Sequence, residues 1–145
     1  MKKTLIIIAI IFIIIIAILL GNYSNVEKLQ EELTEFNLEY EQYIGEEIYG
    51  TDIATIINNA VNNNEQENIE KDEEGYYIQN DANSVEIEIK IIDLEEETIF
   101  KMETFYDGGI EQFVQYYGTI LFKAEKIEYN SAGRVSYMLF EQISS

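Results

Sequence analysis

Residues 4–20 form an unbroken apolar run, almost all Ile, Leu and Ala, with Met1-Lys2-Lys3 before it and Gly21-Asn22-Tyr23 after it. A helix that is apolar on every side has no face to give to water, so this run limits the fold more than any other feature. As a helix it has about 17 residues and is about 25 Å long. A hydrocarbon core is about 30 Å thick, which puts the run at the short end of a membrane span. Lys2 and Lys3 can snorkel on one side, and Gly21-Asn22-Tyr23 can sit in the interface on the other.

A cleaved signal peptide is the rival reading. Its apolar core runs about 7–15 residues and ends in a small-x-small site. Here the run is longer, and the best cleavage position pairs Gly21 with Leu19, which is not small. A buried helix of a soluble protein is the third reading. The expectation is an uncleaved signal-anchor over residues 1–21, meeting the membrane through residues 4–20. No Cys follows the run, which excludes a lipoprotein.

Charge orients such an anchor. Two lysines precede the run, and the next basic residue is Lys28, already among acids. The positive-inside rule then expects a cytoplasmic N-terminus and an extracytoplasmic remainder, single-pass in a bacterial cell membrane. That remainder holds all 28 Asp and Glu but only seven of the nine Lys and Arg, a formal charge of −21. So acidic a chain is no phosphate-backbone binder, and no nucleic acid is expected as a partner. Without Cys or His there is no Cys/His zinc site, thiol nucleophile, disulfide or Ser-His-Asp triad. No cofactor or metal is expected.

The first 20 residues aside, about 125 remain, enough for one modest domain. Residues 24–44 predict a helix. Ser24-Asn25-Val26-Glu27 has the form of a capping box. Val26, Leu29, Leu33, Phe36, Tyr40 and Tyr43 then recur at spacings of three and four, and Gly45 can stop the helix. The stripe reads either as the buried side of a helix packed on its own domain or as the seam of an intermolecular coiled coil. Its six residues are the candidate contacts for a protein partner or a second copy.

A second helix is expected from Gly50-Thr51-Asp52, with Thr51 as N-cap and Ile53, Ile56, Ile57, Ala60 and Val61 on one face. Asn62-Asn63-Asn64 is expected to end it. Residues 65–74 read as an acidic loop, and Tyr76-Tyr77-Ile78 as a short strand. Val85, Ile87, Ile89 and Ile91 alternate with Glu86, Glu88 and Lys90, the pattern of a half-buried strand. A turn follows over residues 93–97, then a strand over 98–102. Gly108-Gly109 breaks the chain before a helical face of Ile110, Phe113, Val114 and Tyr117, closed by Gly118. Strands over 119–129 and 134–143 flank a hairpin loop at 130–133, with a bulge near Lys126-Ile127 and Val135, Tyr137 and Leu139 on one face of the last strand.

The expected class is α+β: an N-terminal transmembrane helix, two amphipathic helices, then an antiparallel sheet of about four strands with one short inserted helix. The expected divisions are residues 1–21 as anchor, 22–48 as membrane-proximal helix and 49–145 as exported domain.

Carboxylates are the abundant reactive groups, on the Glu86/Glu88 face and in the runs Asp72-Glu73-Glu74 and Glu95-Glu96-Glu97. Glycoside hydrolysis needs two across a cleft, one with a raised pKa, and runs on loops read as solvated surface. Asp81 and Asn83 have the interval of calcium-loop ligands, but Val85 holds the third position, so an Asx-type turn is expected. The 11 tyrosines read as half-buried core with wet hydroxyls, and otherwise as sugar-stacking or interface surface. Arg134, the single Arg, reads as an edge-strand charge.

The Lys-flanked anchor, the acidic amphipathic helix, Tyr49-Gly50-Thr51-Asp52-Ile53 and the closing Leu139-Phe140-Glu141-Gln142-Ile143 resemble small single-pass membrane-anchored bacterial proteins of uncharacterised function. That resemblance implies no activity and no functional residues. A looser likeness is to type IV pilin-like subunits, which also place a long N-terminal helix before an antiparallel sheet. The chain departs from them at Lys3-Thr4-Leu5, which lacks a small residue before a processing site, and in having no Glu within the apolar run. The expected function is a non-enzymatic membrane-anchored extracytoplasmic protein acting through protein contacts. A pilin-like or secretion-apparatus subunit and a ligand- or carbohydrate-binding sensor domain are the alternatives.

Overall fold

The computed structural model describes residues 2–93 and 96–143. The chain divides into two compact units, Met1–Glu35 and Phe36–Ser145. Helix α1 (Lys2–Glu41) supplies all the regular structure of the first unit. From residue 6 to residue 32 every side chain is exposed. This is a single helix long and apolar enough to cross a membrane, compatible with an anchor or a signal sequence. No second helix starts at Ser24, because the chain is already helical there and the backbone N–H groups of a capping box are taken by the preceding turn. The lysine side chains before the run lie outside the described residues.

The second unit is α+β. After α1 the chain turns at Gly45, whose φ of +82° suits glycine. It then runs through β1 (Glu47–Tyr49), α2 (Gly50–Gln66), β2 (Glu86–Asp93), β3 (Glu96–Lys101), α3 (Met102–Asp107), α4 (Ile110–Tyr117), β4 (Leu121–Tyr129) and β5 (Val135–Gln142). The five strands form one sheet in the order β1-β4-β5-β2-β3. β2 runs parallel to β5 and the other pairs are antiparallel. The expected four-stranded antiparallel sheet is thus a mixed sheet of five. The extra strand, β1, is three residues long and shows no period. The parallel pair arises because the 86–93 strand docks beside the last strand, a pairing about 50 residues apart that local pattern does not encode. The predicted turn at residues 93–97 lies partly outside the described residues.

Helices cover one face of the sheet. Ile53, Ile56, Ile57, Ala60 and Val61 of α2 are buried, as their spacing predicts, against Ile87, Ile89, Ile91, Phe122, Met138 and Phe140. Met102 of α3, Phe113 of α4 and Tyr40 of α1 complete this core. Val135 is buried with Met138 and Phe140 rather than sharing a face with Tyr137 and Leu139, because the register shifts between Glu128 and Tyr129. The expected bulge is present between Ala124 and Lys126.

Several boundaries differ from the expectations. Asp52, not Thr51, tends the start of α2, accepting from the Tyr49 N–H at 3.0 Å. The asparagines at 62–64 continue α2 instead of ending it. Tyr76-Tyr77-Ile78 is no strand; Tyr77 makes one isolated bridge to Lys71, and Asp72 closes the turn by accepting from the N–H groups of Glu74 and Tyr76. The single inserted helix is two, α3 and α4, separated where Gly109 has φ of +98°.

Candidate functional site

The 26–43 stripe does not stay on one kind of surface. Val26 and Leu29 are 53 % and 64 % exposed, and Leu33 is half-buried. Phe36 and Tyr43 pack against the core of the second unit, and Tyr40 is buried within it. The Phe36 and Tyr40 rings lie 5.3 Å apart. One stretch of the stripe is therefore core and the other carries bare apolar side chains.

Residues 36–41 are tied to the sheet by polar contacts. The Asn37 amide donates to Gly133 O at 2.8 Å and accepts from Val135 N–H at 2.9 Å. The Tyr129 hydroxyl donates to Glu41 at 2.7 Å. Between them Arg134 lays its guanidinium 3.5 Å from the Phe36 ring centroid and donates from Nη2 to Asn63 Oδ1 at 2.6 Å. Arg134 is thus no edge-strand charge: it precedes β5, an interior strand, and locks Phe36 in place. Asn64, wholly buried, repeats the two-way amide pairing on Val85, giving and taking one bond of 2.8 Å each. Asn80 is the Asx turn, accepting from the N–H groups of Ala82, Asn83 and Ser84. Ser131 lowers the pKa of the Asp81 carboxyl, through its side chain first and then through its backbone N–H, which donates to Asp81 at 3.0 Å.

On the sheet face opposite the helices, Glu86, Glu88 and Lys90 are half-buried by cross-strand pairing rather than simply solvated. Lys101 pairs with Glu86 at 2.7 Å, Lys90 with Glu97 at 2.8 Å and with Glu141 at 3.7 Å, and Tyr137 donates to Glu88 at 2.7 Å. Glu97 and Glu86 hold the protons of Lys90 and Lys101 more tightly than usual. Four of the chain's nine basic residues, Lys90, Lys101, Lys123 and Lys126, belong to the strands of this sheet, which still carries an excess of carboxylates.

Two concavities merit notice. A 240 Å³ recess on α3 and α4 has Phe105, Phe113, Tyr116 and Tyr117 as aromatic lining with Thr104 and Gln112. A 370 Å³ groove beneath β3 is lined by Ile91, Thr98, Phe100 and Tyr117 with Asp93 and Glu96. Buried in the first turn of α3, Glu103 accepts from the Tyr77 N–H at 2.9 Å through one oxygen only. Sequence pattern holds no sign of half-buried Arg134 and Asn37, or of buried Asn64 and Glu103, as ties, since a polar residue in a helix or turn normally faces water. No family model, curated protein or solved structure matches the chain, so its function is read from its own residues.

Proposed function

We propose that this chain is a non-enzymatic, single-pass membrane-anchored protein of a bacterial cell, with a cytoplasmic N-terminus and an extracytoplasmic α+β domain that acts through protein contacts. One observation carries the reading. Val26 and Leu29 are exposed at the spacing of a helix seam, just beyond an apolar run that is itself exposed from Ile6 to Leu20. Water tolerates single apolar side chains, but a run of this length needs lipid or protein around it. Lys2 and Lys3 support the orientation.

The test uses the full-length chain. It is expected to resist alkaline extraction from membranes, and photo-crosslinking residues at Val26 and Leu29 are expected to trap a protein or a second copy while one at Glu31, on the opposite side of the helix, does not. Release by alkali would sink the anchor, and equal trapping at all three positions would sink the seam. The unbroken course of α1 from the apolar run to Glu41 favours a second reading, a pilin-like or secretion-apparatus subunit. A ladder of trapped multimers, rather than one partner, would select it.

A further inference from the structure

β3 is the last strand of the sheet, paired with β2 on one side and with no strand on the other among the described residues. An unpaired edge is a row of free N–H and C=O groups that a further strand can satisfy. On the face opposite the helices β3 presents Glu97, Ile99 and Lys101 in alternation, and Ile99 is 52 % exposed. This triplet is complementary to itself. In an antiparallel pairing of two copies centred on Ile99, Glu97 of each faces Lys101 of the other, and Ile99 faces Ile99. On the core side Thr98 faces Phe100.

Other registers are worse. Centring on Glu97 or on Lys101 sets like charges directly opposite, and centring on Thr98 or Phe100 sets a charge against Ile99. Like charges opposite each other destabilise a sheet, whereas unlike and apolar pairs each stabilise it by roughly 0.2–1 kcal/mol. The existing ion pairs extend the match. Lys101 already holds Glu86, and Glu97 is already held by Lys90, so the line of charges alternates in sign across the junction. A two-fold contact also makes the Glu97–Lys101 pair occur twice, on either side of the single Ile99–Ile99 pair.

We propose that β3 pairs antiparallel with β3 of a second copy of this chain, in the register centred on Ile99, so that two five-stranded sheets become continuous. Strands of this length bury less than a permanent dimer does, so the association is weak and is best read by trapping. It uses none of the α1 stripe and stands apart from the contact surface proposed above.

The chain has no Cys, so a single introduced thiol reports its own neighbours. Directly opposite Cα atoms in antiparallel strands lie about 4.5–5.5 Å apart, within disulfide reach. In mild detergent and mild oxidant, the full-length Ile99→Cys chain is expected to give disulfide dimers well above those of Glu111→Cys, an exposed control on α4. Glu97→Lys or Lys101→Glu, added singly to Ile99→Cys, is expected to reduce trapping about tenfold. Mixing these two chains is expected to restore it, because unlike charges then meet at both ends, and restoration cannot come from misfolded protein. Equal dimer yields from Ile99→Cys and Glu111→Cys would overturn the proposal, as would singly changed chains that trap as well as the parent. Dimers trapped by Val26→Cys with none by Ile99→Cys would move self-association to α1, overturning the β3 pairing and leaving the proposed function intact.

Discussion

Asn64 occupies a helix yet completes a strand. Its amide bonds Val85 in both directions at 2.8 Å, meeting the backbone just where β2 is about to begin. Replacing it with alanine would leave a buried N–H and a buried C=O without partners, and each such group costs about 1–3 kcal/mol. Asn64→Ala is expected to lower stability by about 2–4 kcal/mol, measured as a shift in the urea midpoint; an unchanged midpoint would show that the pairing is dispensable. Asn62-Asn63-Asn64 has the local pattern of a helix end because asparagine competes with helical backbone bonds. The competition is real, but its target lies 21 residues away, and nothing in the local sequence names it. Arg134 teaches the same lesson: its place on the Phe36 ring depends on a segment almost a hundred residues earlier.

At the level of elements, α2 and the end of α4 meet at a glycine. A Cβ on Gly50 would lie 2.0 Å from the Tyr117 carbonyl oxygen, so only hydrogen fits there. The Gly50 N–H also donates to Ile120 O at 2.9 Å, so α2 cannot simply move away. Alanine favours helix over glycine by up to about 1 kcal/mol, but overpacking costs about 1–3 kcal/mol or more. Gly50→Ala is therefore expected to destabilise the protein in urea unfolding, and a stabilised variant would show that the two helices can part. The long periodic elements were legible in advance: α2 by its five apolar residues, β2 by strict alternation. The short ones, β1 and α3, were not, since three to six residues hold too little period to distinguish strand from helix.

Across the whole molecule the tyrosines and lysines that shift all shift upward. Burial, with Glu65 and Glu103 nearby, pushes the Tyr77 hydroxyl up to about 12. Burial also raises Tyr40 and Tyr137, the latter helped by its bond to Glu88, while Glu97 and Glu86 raise Lys90 and Lys101. A group raised on folding keeps its proton more tightly in the folded state. The stability it lends is complete below its ordinary value, 10.0 for Tyr and 10.5 for Lys, and is lost as pH rises through the folded value. The melting temperature is thus expected to fall steeply between pH 10 and about 12, with tyrosinate absorbance of the buried tyrosines appearing together with unfolding. Titration of every tyrosine near pH 10 in a still-folded protein would contradict this. The apolar helix, the excess of acid beyond it, the α+β class and the buried faces of α2 and β2 are each written in a local period or a count. The strand order, the parallel β2–β5 pair, the division of the α1 stripe into core and bare surface, and the free edge at β3 arise in the folded chain alone. Those depend on which distant segments meet, and long-range pairing leaves no trace in local spacing.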